Sequence, residues 1–193
     1  MNMKNSLFTT ISSGKYKGKK LNLPSLSTTR STKSIVKESV FNSLQNDIYN
    51  SVFIELFGGS GLMAATAMSN HAQKAYAIEL DRAAFNILKS NFATLNDEAL
   101  IAINGDTFEL TPKIVSENIE QNTILYIDPP FDIRDGFDGI YTKIYKMLSK
   151  MDLNIAIIEH ISAHTTPQTI GKLNLYKSRK FGNTTLSYYS KCI

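Results

Sequence analysis

Apolar and polar positions along this chain follow two alternating periods. Short apolar runs of strand length recur at residues 52–57, 75–80, 99–103, 123–127 and 154–159. Each is bounded by polar or glycine-containing segments and predicts a strand buried on both faces. Between them lie stretches with helical spacing. Residues 61–70 are rich in Ala and Met, and 82–95 turn Ile87, Leu88, Phe92 and Leu95 to one side. Residues 108–116 and 141–150 complete the set, with Tyr141 and Tyr145 at core spacing in the latter. Strand–helix repetition of this kind predicts an α/β fold with a doubly wound, mostly parallel sheet. Two late apolar stretches, 173–177 and 184–190, have no helix between them and predict an antiparallel end, for seven strands in all.

The first 45 residues differ. Residues 7–23 carry short β-like pieces punctuated by Gly14 and Gly18, a pattern for a small hairpin, and the Ser/Thr/Pro-rich stretch 21–30 reads as a loop. From 33 to 44 the residues Ile35, Val36, Val40, Phe41 and Leu44 follow helical spacing, with Lys37 and Glu38 on another face. This predicts a basic N-terminal extension over 1–45 and a main domain over 46–193.

Composition narrows the class. A chain of 193 residues, 42% hydrophobic and 20% charged, buries one substantial core. No apolar run has the length of a membrane span, and 1–13 lacks the continuous apolar stretch of a secretory signal, so the expected location is the cytoplasm. A single cysteine, Cys192, excludes an internal disulfide. The net charge of +4 is unevenly spread. Lys4, Lys15, Lys17, Lys19, Lys20, Arg30, Lys33 and Lys37 face one acid, Glu38, in the first forty residues. Lys172, Lys177, Arg179, Lys180 and Lys191 face none at the other end, and the middle carries twice as many acids as bases. Two basic ends on an acidic body predict a polyanion-binding face, with nucleic acid as the partner.

The chemistry concentrates at the predicted strand ends. Glu55-Leu56-Phe57-Gly58-Gly59-Ser60-Gly61 closes the first parallel strand and opens a helix. Glycines there let the backbone turn tightly and approach a ligand. An acid at Glu55 repels a pyrophosphate but suits the α-ammonium of a methionine-like group, which favours S-adenosylmethionine over a nicotinamide dinucleotide. Glu79, with Leu80 beside it, ends the second strand, where a carboxylate accepts both hydroxyls of a ribose. Asp81 is placed to cap the following helix. Asp106, with Thr107, follows the third strand; it accepts from an adenine amine or caps a helix, and the two readings are equal on sequence. Asp128-Pro129-Pro130-Phe131 follows the fourth strand. Two prolines fix φ and lack N–H donors, so a carboxylate and a rigid carbonyl stand together as acceptors, matched to the two protons of an exocyclic amine.

On these motifs the chain resembles the bacterial RsmD family, the 16S rRNA (guanine-N2) methyltransferases. The resemblance covers nearly its whole length. Ile11–Leu21 looks like the family's opening R-I-I-x-G-x-x-K/R-G-R/K-x-L. Arg30-Ser31-Thr32 with Val36–Asn42 looks like R-P-T…R-V-R/K-E-x-L-F-N. Phe57–Gly61 is similar to F-A/G-G-S-G, Asp128–Phe131 to D-P-P-F/Y, and Phe181–Leu186 to Y/F-G-x-T-x-L. Ser31, Thr10 and Ile35 depart from the family's proline and two arginines.

The resemblance implies a Rossmann-like class I S-adenosylmethionine-dependent methyltransferase acting on a guanine N2 amine, guanine 966, in 16S rRNA. Asp128, Pro129, Pro130 and Phe131 would be the catalytic group, Phe131 stacking on an extruded base or packing under its loop. Glu55, Phe57, Gly58, Gly59, Ser60, Gly61, Glu79, Leu80, Asp106, Thr107 and Asp128 would hold S-adenosylmethionine. Lys15, Lys17, Lys19, Lys20, Arg30, Ser31 and Thr32 would hold phosphates, with Asn183 and Thr184 near the base. The expected partner is 16S rRNA or a small-subunit assembly particle, engaged by a monomer without membrane or metal. His160 and His164, four apart and placed in a loop after a strand, lack the acids or cysteines of a metal site. Two other readings stay open: an N6-adenine DNA methyltransferase, and a non-catalytic S-adenosylmethionine-binding RNA-binding or assembly protein.

Overall fold

Residues 7–24, 30–130 and 138–191 are described by a computed structural model of the protein. A short hairpin, β1 (Phe8–Thr10) and β2 (Lys20–Asn22), precedes helix α1 (Arg30–Ser43). The main sheet then builds from β3 (Val52–Leu56), β4 (Lys74–Glu79), β5 (Leu100–Asn104), β6 (Thr123–Ile127) and β7 (Ile155–Ile161), all parallel. Helices α2 (Leu62–Ser69), α3 (Arg82–Leu95), α4 (Thr107–Glu117) and α5 (Asp138–Leu148) connect them. Strands β8 (Thr169–Ile170), β9 (Leu173–Phe181) and β10 (Thr184–Lys191) finish the sheet in antiparallel pairings, giving the order β5-β4-β3-β6-β7-β10-β9-β8. Among the described residues the sheet thus has eight strands rather than the expected seven, because the two-residue β8 adds an edge too short to leave a pattern in sequence.

Alternation along each strand divides the core. In β6, Ile124 and Tyr126 face α1, α2 and α3, while Leu125 and Ile127 face α4 and α5. Ile11, Leu21, Val36, Val40 and Leu44 of the first 45 residues pack in the same cluster as Phe53, Met68 and Leu88. The hairpin is held to the end of α2: Lys15 N–H donates to the Ser69 carbonyl at 2.8 Å and Tyr16 N–H to Ser69 Oγ at 2.9 Å. Gly14 makes this approach possible, since a Cβ there would lie 1.8 Å from the Ser69 carbonyl oxygen.

The strand order reverses between β3 and β6. From β3 the chain runs outward through β4 and β5, then returns to β6 and proceeds the other way. Crossovers leaving in opposite directions open a crevice at the carboxyl ends of those two strands, where open α/β sheets take ligands.

Candidate active site at the strand ends

The crevice holds a cavity of about 450 Å³. Its floor is the glycine loop (Phe57, Gly58, Gly59, Ser60) with Glu55, Tyr126, Asp128 and Glu159 from three strand ends. Its other wall comes from the hairpin and α1: Phe8, Thr10, Ser34, Val36 and Lys37. The N-terminal segment therefore closes one side of the site.

Backbone amides and acids fix the shape of this floor. Glu55, buried in β3, accepts N–H groups from Met63 at 3.4 Å and Ala64 at 2.9 Å in the first turn of α2. A carboxylate so placed satisfies orphan donors and opposes the positive end of the helix. Glu79 accepts from the Gly59 N–H at 2.8 Å and from the Asp81 N–H at 2.8 Å, so it braces the glycine loop from the neighbouring strand. Asp106 caps α4 through the Phe108 N–H at 2.7 Å, and Asp81 caps α3 through the Ala84 N–H at 2.8 Å. Of the two equal readings of Asp106, the capping one is realised, by Oδ1. Gly61 sits at φ 75° at the entry of α2, where a Cβ would meet Leu88 at 2.3 Å and Phe92 at 2.4 Å.

The acids expected at four successive strand ends stand there, but not all in one cavity. Glu55 and Asp128 line it, whereas Glu79, Leu80, Asp106 and Thr107 stand beyond, at the ends of β4 and β5, with Leu80 69% exposed. Pro129 is buried and Pro130 exposed. Phe131 and the side chains of Arg30, Ser31 and Thr32 lie outside the described residues, as does Cys192. Lys15, Lys17, Lys19 and Lys20 are all exposed. Lys15 is ion-paired with Asp97 at 2.9 Å, and Lys20 lies over the Phe8 ring at 4.2 Å. Thr184 pairs with Ile161 at the carboxyl end of β7, and Asn183 beside it accepts the Ser162 N–H.

Four residues of the site escaped sequence reasoning. Lys37, expected on an outer face of α1, is buried and donates to the Thr10 carbonyl at 2.9 Å; burial lowers its pKa. Its neighbour Ile35, expected inward, is 55% exposed. Tyr126 donates its hydroxyl to Glu159, and both are buried. Burial, then the nearby Glu159, Asp128 and Glu55, raises the Tyr126 pKa well above the ordinary phenol, so it stays a donor. Asn91, buried in α3, bonds both ways with the backbone of Asn22 (2.8 and 2.9 Å) and donates to the Ser60 carbonyl at 2.9 Å, which clamps hairpin to glycine loop. Glu159 carried a legible signal: an acid ending an apolar run, as Glu55 and Glu79 do. His160 is corrected, since it lies within β7 rather than in a loop, buried against Ser187 Oγ at 2.9 Å. His164 stacks on Tyr141 at 3.9 Å. Among the described residues no cluster of metal-binding side chains occurs, and no helix is long and apolar enough to cross a membrane.

A family model described as conserved hypothetical protein 95 matches residues 9–190. Ribosomal RNA small subunit methyltransferase D of Escherichia coli strain K12 is 31% identical over 118 residues. That alignment spans 61% of this chain and 58% of that relative. The putative rRNA methyltransferase YlbH of Bacillus subtilis strain 168 is 26% identical over 181 residues, 93% of this chain and 97% of its own. The solved structure of the putative methyltransferase yhhF from Escherichia coli superposes with a TM-score of 0.77 at 26% identity, covering 96% of this chain and 98% of that one.

Proposed function

The chain belongs to the family described as conserved hypothetical protein 95, and from that premise we propose that it transfers a methyl group from S-adenosylmethionine to the N2 amine of a guanine in 16S rRNA, guanine 966. The observation that carries this reading is the position of Asp128, just past the end of a central parallel strand and lining the same cavity as the glycine loop, with Pro129 next in the chain.

The donor set fits S-adenosylmethionine. Three acids, Glu55, Asp128 and Glu159, line the cavity against one lysine, Lys37, a balance that favours a cationic ligand, and Gly58 and Gly59 present backbone without side chains. Glu79 and Asp106 stand at the next strand ends as acceptors for ribose and adenine. When bound, S-adenosylmethionine supplies a methyl group activated on a sulfonium.

The remaining work belongs to the chain. Guanine N2 is a weak nucleophile because its lone pair is delocalised into the ring. The Asp128 carboxylate and the Pro129 carbonyl accept its two hydrogens and so orient the lone pair toward the methyl carbon. As N2 forms its new bond it gains positive charge, which the Asp128 carboxylate offsets, and one N–H proton then leaves toward that carboxylate. Phe131 stacks on the base once it has been drawn out of its helix or loop. The basic extension, residues 1–45, holds phosphates through Lys17, Lys19, Lys20 and Arg30, with Lys15, Ser31 and Thr32 beside them. The reaction then belongs in the cytoplasm, on 16S rRNA or its assembling subunit, with the protein as a monomer.

Mass mapping of small-subunit rRNA from cells lacking the protein tests this. One guanine is expected to lose its N2-methyl group and to regain it on incubation with the protein and S-adenosylmethionine. Unchanged guanine methylation, or transfer to an adenine, defeats the reading.

A further inference from the structure

Glu159 is a buried carboxylate near the carboxyl end of a central strand. It ends an apolar run in β7, is 5% exposed, and lines the cavity beside Asp128. Removing a carboxylate from water costs several kcal/mol unless partners compensate, and this position is not given to an apolar residue. Instead Tyr126, itself buried, donates its hydroxyl to Glu159 Oε2 and so fixes the direction of the carboxylate. Tyr126 resists ionisation, first through burial and then through the surrounding acids, so it remains the donor and Glu159 the acceptor.

Base chemistry supplies a use for a second acceptor next to Asp128. On its Watson–Crick edge guanine presents two neighbouring donors, the N2 amine and N1–H. Adenine presents its N6 amine beside an unprotonated N1, which is an acceptor. A single carboxylate that grips an exocyclic amine cannot tell the two apart. A second carboxylate beside it can, because it bonds guanine N1–H and faces the lone pair of adenine N1 with like polarity.

We propose that Glu159 reads the N1–H of the target base, making it the residue that restricts the amine-directed site at Asp128 to guanine. The proposal rests on the guanine-N2 reading above and adds to it the group that selects the base.

The test uses the full chain and small-subunit rRNA joined by splinted ligation, carrying guanosine or 2-aminopurine riboside at the mapped position. 2-Aminopurine keeps the 2-amine but has an unprotonated N1. The wild-type protein is expected to prefer guanine by at least about 10²-fold in kcat/KM, the scale on which a polar site rejects an analogue lacking its bonding group. Glu159→Gln still accepts the Tyr126 hydroxyl through its amide oxygen, while its NH2 donates to an unprotonated N1. The guanine preference should therefore shrink at least about tenfold, with 2-aminopurine turnover rising relative to guanine. A variant slowed by the same factor on both substrates, so that the guanine preference stays intact, makes Glu159 structural and overturns the proposal. So does a wild-type protein that methylates 2-aminopurine as readily as guanine, a result independent of whether the variant folds. If the wild type places its methyl group elsewhere than guanine N2, the underlying reading fails as well, and the mapped position separates that failure from the others.

Discussion

Two glycines two positions apart in the same loop, Gly59 and Gly61, should fail in different ways when replaced by alanine. At Gly61, φ is 75° and a Cβ would lie 2.3 Å from Leu88 Cδ1 and 2.4 Å from Phe92 Cε1, both buried. The left-handed backbone costs an alanine about 1–2 kcal/mol, and forcing a methyl into a packed core adds about 1–3 kcal/mol. Gly61→Ala should thus lose about 2–5 kcal/mol, and with about 2–4 °C per kcal/mol for a chain of this size the melting temperature should fall by about 4–20 °C. At Gly59, φ is 52° but a Cβ would meet nothing within 4 Å. Only the backbone cost remains, about 1–2 kcal/mol or about 2–8 °C. Gly59 lines the cavity, however, so its new methyl group occupies ligand space. Gly59→Ala should weaken S-adenosylmethionine binding at least about tenfold. Gly61, expected from sequence to hold the cofactor, is not among the cavity-lining residues and its Cβ would meet Leu88 and Phe92, so Gly61→Ala, assayed well below its melting point, should lose less affinity than Gly59→Ala. Scanning calorimetry and titration calorimetry on both variants give the comparison. Equal melting temperatures would refute the packing argument at α2, and undiminished affinity in Gly59→Ala would move the ligand away from the glycine loop.

Three further outcomes follow from named contacts. Asp128→Asn should fold and bind S-adenosylmethionine while methyl transfer falls about 10²–10³-fold, the scale of one preorganised charge lost from a transition state; a near-normal single-turnover rate would show that Asp128 does not hold the amine. Lys37 has its pKa lowered from 10.5 by burial, so between that lowered value and 10.5 the unfolded chain binds the extra proton and the residue's contribution to stability rises with pH. Urea melts should accordingly show wild type gaining on Lys37→Met as pH increases from 7.5 toward 10, and a pH-independent difference would contradict the burial of an ammonium. Lys19→Ala should lower the salt slope of RNA binding by about 1 with little change in sequence preference; an unchanged slope, measured by fluorescence anisotropy, would take Lys19 out of phosphate contact.

Local pattern carried the main sheet because a buried parallel strand and its crossover helix each have a short-range signature. Strand β6 and helix α3 fall at the predicted residues, and the ends of the other parallel strands shift by no more than about two residues. The signature fails where one element is covered from two sides. Helix α1 is packed by the sheet and also by the hairpin, so Lys37 is buried against Thr10 although its own helix pattern places it outward. Asn91 fails for a related reason: its partners Asn22 and Ser60 are 69 and 31 residues away, and a lone polar residue on an apolar helix says nothing of them. The strand-end acids were legible as a row, since a carboxylate closing an apolar run is costly without a partner. What a row could not convey is which neighbours each acid takes.

Those neighbours change how the acids are to be read. Glu79 holds the N–H of Gly59 and Asp106 holds the N–H of Phe108, so each fixes a loop or helix end before any ligand arrives. A carboxylate offers about four lone-pair directions, and a bond to one or two backbone amides leaves it capable of accepting a ribose hydroxyl or an adenine amine as well. One side chain can then shape the site and still offer an acceptor to a ligand, and its backbone bonds explain how a floor made of glycines keeps a defined form. Replacing such an acid with alanine removes both functions, and the measured loss of affinity mixes loop disorder with lost contact. Glu79→Gln is the milder change, because its amide oxygen can still accept from Gly59, while its NH2 replaces the oxygen that accepts from the Asp81 N–H and would accept from a ligand hydroxyl. Melting temperature near the wild type together with weakened binding would assign Glu79 to the ligand; a drop in both would assign it to the loop.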